Sequence, residues 1–96
     1  MRASRASKTD ANQAEIIKAL RKAGASVQPL HMVGDGCVDL LVGFRSANHC
    51  LEVKDGRKPP SERELNKIQR KWHVEWRGHA QVVTSVDEAL AAIGAI

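Results

Sequence analysis

Apolar positions near the start of the chain recur at helical spacing. Ile16, Ile17, Leu20 and Ala23 share one face of residues 10–24, DANQAEIIKALRKAG, which predicts a helix. Asp10 stands where an N-cap is expected and Gly24 where a C-terminal cap is. Lys18, Arg21 and Lys22 ride the late turns, where cations suit the helix dipole. The apolar spacing then becomes that of strands. Residues 26–32 predict a first strand, confined by Pro29 to an edge or a bulge. Gly34-Asp35-Gly36 predicts a turn. Residues 37–43, CVDLLVG, and 49–53, HCLEV, are apolar runs of strand length, and the polar residues 45–48, RSAN, read as the hairpin loop between them.

After a stiff basic loop at 55–60, DGRKPP, the sequence Ser61-Glu62-Arg63-Glu64 has the form of a capping box that opens a second helix. Leu65, Ile68, Trp72 and Trp76 make its apolar stripe, which predicts packing in a core or against a second copy in preference to stacking of Trp72 and Trp76 on bases, and Gly78 lies just past its end. Residues 80–83, AQVV, predict a last strand. Ser85 or Asp87 starts a terminal helix through Glu88, Ala89, Leu90 and Ile93. The order αβββαβα predicts an α/β layer architecture. Residues 1–9 carry Arg2, Arg5 and Lys8 without an acid and read as a flexible basic arm, leaving 10–96 as one domain.

Charge interrupts this pattern in one place. Asp39 sits inside CVDLLVG, and Glu52 and Lys54 end CLEVK. One acid on one strand is ordinarily a solvated or ion-paired residue; three such groups on neighbouring strands predict a site. A hairpin loop of even length pairs Leu41 with Glu52 and Asp39 with Lys54, so that all three groups share a face. An odd loop would send Asp39 to the opposite face. Two carboxylates and a lysine suit phosphodiester hydrolysis. Carboxylate oxygens hold Mg²⁺ or Mn²⁺, which polarises phosphate and lowers the pKa of bound water. The lysine, kept as an ammonium by the acids around it, orients water or binds phosphate.

Composition adds a partner class. Fifteen Lys and Arg against eleven Asp and Glu leave +4 among 96 residues, which favours an anionic partner such as nucleic acid. Arg57, Lys58, Arg63, Lys67, Arg70 and Lys71 cluster just after the charged strands and suit tracking of phosphates as well as they suit a solvated helix face. A domain this small often gains stability by pairing, so a homodimer is expected. No apolar run is long enough to span a membrane, no secretory signal is present, and two cysteines far apart suggest free thiols in a reducing cytoplasm. His31, Cys37, His49 and Cys50 lack zinc-ligand spacing. His73 and His79 read as surface or edge residues, and Gly34-Asp35-Gly36 is too short for a phosphate loop.

An Asp followed by Glu-x-Lys on an adjacent strand resembles the PD-(D/E)XK nuclease superfamily. DANQAEIIKALRKAG, GDGCVDLLVG, LEVKDG and the helix ending in Trp76-Arg77-Gly78 are together similar to its small stand-alone VRR-NUC, or Holliday-junction-resolvase-like, members common in phages. The resemblance implies a restriction-endonuclease-like core with a central mixed sheet flanked by helices. It also implies a bacterial or phage-infected cell and a DNA substrate, branched or flapped. Asp39, Glu52 and the Val53 main-chain carbonyl would hold Mg²⁺ or Mn²⁺, and Lys54 would be catalytic. The family usually has Pro where this chain has Val38, a position that is not a ligand. Glu15, at the border of the first helix's apolar face, resembles the helix-borne Glu often added to the metal shell; pairing with Lys18 or Lys22 is the alternative. Gln69, a polar residue beside an apolar stripe, resembles the Gln that such proteins carry near the metal. The expected activity is a metal-dependent endonuclease without organic cofactor. The rivals are a nucleic-acid-binding module with little turnover and an interaction protein whose charged triplet is an ion-pair network.

Overall fold

The computed structural model describes residues 9–96; the basic arm, apart from Thr9, lies outside the described residues. The element order is α1 (Gln13–Lys22), β1 (Ser26–Pro29), β2 (Leu40–Phe44), β3 (Ala47–Val53), a 3₁₀ turn (Pro60–Glu62), α2 (Lys67–Glu75), β4 (Ala80–Val83) and α3 (Val86–Ala92). The four strands form one mixed sheet in the order β1-β2-β3-β4, antiparallel except for the parallel β3–β4 pair. Pro29 ends the edge strand β1, the place where a missing N–H is tolerated.

Side-chain alternation sorts the sheet into two unlike faces. Leu40, Val42, Leu51, Val53 and Val83 point to one face and meet Ile16 and Leu20 of α1 and Ala89 of α3, all fully buried. α1 and α3 lie against each other there, α1 beside β1 and α3 beside β4. The opposite face carries Leu41, Cys50, Glu52 and Val82, and Leu41 and Val82 are exposed.

The predicted cap of α1 at Gly24 is present. Gly24 has φ +101°, its N–H donates to the Arg21 carbonyl, and the Ala25 N–H donates to the Leu20 carbonyl, the paired bonds of a Schellman ending. The N-terminal cap differs: Asn12, not Asp10, precedes the helix, and its side chain makes no capping bond. Ala23 lies outside the core, as an exposed C-cap.

The hairpin is tighter than the predicted four-residue loop. Arg45 and Ser46 alone make the turn, with φ of +51° and +66°, and Phe44 pairs with Ala47. Positive φ at both central residues matches the right-handed twist of the flanking strands. The register consequently moves by two, and Leu41 faces Cys50 rather than Glu52. A shift of two keeps each side chain on its predicted face. Gly34, Asp35 and Gly36 all have positive φ, in keeping with the predicted turn.

The second helix starts later than predicted. Ser61 falls in the 3₁₀ turn, and the capping box is made instead by Asn66 and Gln69. The Asn66 side chain accepts from the Gln69 N–H at 2.9 Å, and the Gln69 side chain accepts from the Asn66 N–H at 3.0 Å. The expected core stripe is not a core: α2 buries no residue, and Ile68 and Trp76 are exposed. Among the described residues no helix is long and apolar enough to cross a membrane.

Gly24→Ala forces a Cβ into the left-handed region and is expected to lower stability by about 1–2 kcal/mol, read as a lower urea midpoint with an unchanged m-value.

Candidate functional site

The two faces of β3 differ in what they bury. Glu52 lies between Leu51 and Val53, points away from the core, and is nevertheless 1% exposed. Extending the β2–β3 register by one residue sets Asp39 beside it. The carboxyls of Asp39 and Glu52 stand side by side, close enough for each to act on the other's charge. Asp39 Oδ2 also accepts the Val53 N–H at 2.7 Å. A strand residue turns its N–H and C=O toward the same neighbour, so the Val53 carbonyl faces the Asp39 side as well.

Gln69 closes the cluster from α2. Its Nε2 donates to Glu52 Oε2 at 3.1 Å, and its Oε1 accepts from Lys54 Nζ at 3.0 Å. Lys54 Nζ lies 3.7 Å from the same Glu52 oxygen. The Gln69 oxygen also takes the Asn66 N–H, so one side chain caps α2 and joins both charged groups. Gly36 allows this approach: with φ +78°, a Cβ there would stand 2.5 Å from the Ile68 carbonyl oxygen. Asn12, 2% exposed, fixes the far end of β3 by donating to the Lys54 and Thr84 carbonyls at 3.1 and 3.2 Å.

These groups line a cleft of about 230 Å³ with Thr9, Asp10 and Lys58. Asp39, Glu52, Lys54 and Gln69 are thus brought together as predicted. Glu15 is not: it is exposed and lines a separate cavity with Arg57, Asp55 and Ser85. The residue before α1 that reaches the cleft is Asp10, read from sequence only as a cap, and it pairs with Lys58 at 3.8 Å. Its one available signal was an acid just before a helix whose start Asn12 can occupy. Of the basic cluster, Lys58 reaches the cleft, Arg57 is held by Asp55 at 3.0 Å, and Lys71 pairs with Glu75 at 3.4 Å. Lys67 and Arg70 are exposed on α2, and Arg63 is half-buried. Of the two histidines read as surface or edge residues, His79 is exposed and His73 half-buried. Burial, and then the Lys54 charge, hold its pKa below the usual value.

Burial pushes the Glu52 pKa up to about 8, and the nearby Asp39 charge adds to that. Burial also raises Asp39, against the opposing pull of the Val53 N–H. At neutral pH the pair therefore keeps a proton when no cation is present. Glu52 Oε1 is buried and has no hydrogen-bond partner. A hard divalent cation fits this donor set: two facing carboxyls, one with an unused oxygen, at the floor of an open cleft that leaves room for its waters. Among the described residues no three His, Cys, Asp or Glu converge, so any such ion would draw most of its ligands from water and substrate.

No family model, curated protein or solved structure matches the chain.

The raised Glu52 pKa fixes the sign of a pH effect. The folded chain holds this proton up to about pH 8, whereas the unfolded chain releases it near the ordinary 4.5. The folded state binds more protons between those values, so stability falls as pH rises through them. Thermal melts in chelating buffer are expected to show Tm declining from about pH 5 to about pH 8, and Glu52→Gln to flatten that decline.

Proposed function

We propose that the protein is a divalent-metal-dependent endonuclease that hydrolyses phosphodiester bonds in DNA. The observation that carries this reading is the meeting of Asp39 and Glu52, with Lys54 Nζ 3.7 Å from Glu52, in an open, water-accessible cleft. The Asp and Glu-x-Lys spacing and a mixed sheet flanked by helices support assignment to the PD-(D/E)XK nucleases with a restriction-endonuclease-like core.

In this reading Asp39, Glu52 and the Val53 carbonyl hold Mg²⁺ or Mn²⁺. When bound, the ion polarises the phosphate and makes a nucleophile of water at neutral pH. The chain's own contribution is positioning. Lys54, anchored by the Gln69 oxygen, presents its remaining ammonium protons to the cleft, where they orient a water or a phosphate oxygen. Gln69 also donates to Glu52 Oε2 and so leaves Oε1 as the free edge of that carboxylate. Asp10 and Lys58 also line the cleft, where their ion pair adds to the charge met by an entering strand.

The decisive test is cleavage of labelled duplex, flap and four-way-junction DNA with Mg²⁺ or Mn²⁺. Wild type is expected to cut, chelator to stop it, and Lys54→Ala to lose about 100-fold or more, the scale for removing one donor from developing charge. DNA bound but left intact by the wild type favours a binding module that has kept the fold. A second measurement reads the carboxyl pair without turnover. Because metal ligands must be deprotonated, Mg²⁺ binding near pH 7 is expected to release protons. The calorimetric enthalpy should then depend on the buffer's ionisation heat, and Glu52→Gln should remove that dependence.

A further inference from the structure

The stripe Ile68-Trp72-Trp76, predicted to pack in a core or against a second copy, is left largely uncovered: Ile68 and Trp76 are exposed and Trp72 is half-buried. The two indoles stack with centroids 4.7 Å apart and planes 12° from parallel. Trp72 covers one side of Trp76, yet Trp76 remains 47% exposed. The ring is also seated: a Cβ at Gly78 would lie 3.0 Å from the Trp76 Nε1, so the chain after α2 folds close against the indole because Gly78 has no side chain. A large aromatic held rigid and half open needs an explanation that packing does not supply.

Its place on the helix connects it to the cleft. Trp72 and His73 stand three and four residues after Gln69, and the C-cap Trp76 stands four and three after them, so the four lie on one side of α2. Gln69 touches Glu52 and Lys54, and the His73 ring feels the charges of Lys54 and Asp39. Seven residues at ~1.5 Å rise put Trp76 about 10 Å along the helix from Gln69, close to three base steps of ~3.4 Å. The stretch from Lys67 to His79 carries Lys67, Arg70, Lys71 and Arg77 against Glu75 alone. Arg77 directly follows Trp76.

The geometry points to the Trp72–Trp76 stack as a platform for unpaired bases of a DNA strand running from the cleft. Aromatic planes beside positive charge are the common means of holding single strands, since each base offers a π-face. This rests on the nuclease reading for why a strand lies in the cleft, and adds to it where unpaired nucleotides are held. A second copy of the chain is the competing occupant. The surrounding cations, Lys67, Arg70, Lys71 and Arg77, repel a second copy and favour a polyanion.

Both tryptophans of the chain belong to the platform, so intrinsic fluorescence reports on it alone. Titration with oligothymidylate in chelator at low salt is expected to quench that emission. Trp76→Ala is expected to weaken binding about tenfold or more, to erase any preference for a tailed over a blunt duplex, and to leave Trp72 as the reporter. Trp76→Phe, which keeps a stacking ring, should retain most of the affinity and so separates stacking from folding. Unchanged emission, or unchanged affinity in Trp76→Ala, overturns the proposal. So does a dimer in sedimentation that Trp76→Ala dissociates, because the stack then faces a second copy. The titration needs no turnover: a protein that is quenched but never cuts ends the nuclease reading and keeps the platform, and one that cuts without quenching does the reverse.

Discussion

Removing a carboxylate from water costs several kcal/mol unless it is paired or keeps its proton, and Glu52 is almost completely removed. Its surroundings meet that cost in three ways at once. Gln69 donates to one oxygen, the Lys54 ammonium lies near the same oxygen, and the carboxyl retains a proton well above its ordinary range. The second oxygen, Oε1, is buried and has no hydrogen-bond partner. A structural ion pair tends to satisfy all its acceptors. In the proposed reading that open oxygen is where a cation would bind.

The elements around Glu52 follow from the need to bring its partners in. The two-residue turn at Arg45-Ser46 sets the parity of the hairpin and with it the face on which Asp39 stands. Asn12 ties the start of α1 to the carbonyl of Lys54, so the core-forming helix also fixes the strand end that carries the lysine. Gly36 lets the backbone of α2 come close enough for Gln69 to reach Glu52. Core packing on one face of the sheet and polar assembly on the other are thus joined through the backbone of β3.

Features governed by local rules were readable in the sequence, and features set by distant contacts were not. Gly24 ends α1 because a left-handed residue there closes two hydrogen bonds within the same few residues. The shared face of Asp39, Glu52 and Lys54 follows from alternation alone and survived a register two residues away from the expected one. The start of α2 did not survive. Ser61-x-x-Glu64 and Asn66-x-x-Gln69 are both capping boxes on paper, and the second prevails where Gln69 also joins Glu52 and Lys54, residues far away in sequence. Glu15 and Asp10 were exchanged for the same kind of reason. The helical wheel places Glu15 near the apolar border, but which end of α1 meets the cleft depends on how the helix lies across the sheet. The tryptophan stripe had the spacing of a core helix and lacked only a surface to cover it.

The way α2 is attached has a thermodynamic consequence. It buries no side chain fully, and among the described residues its hydrogen bonds to the sheet are those of Gln69. Docking of the helix and the ionic state of the carboxyl pair are therefore two ends of one equilibrium, and linkage requires each to act on the other. Whatever settles the charge on Glu52 also changes how firmly α2 is held, and, if the acids take the cation proposed for them, whatever grips α2 from outside changes their affinity for it. A strand resting on the helix and an ion resting on the acids would recruit one another without touching.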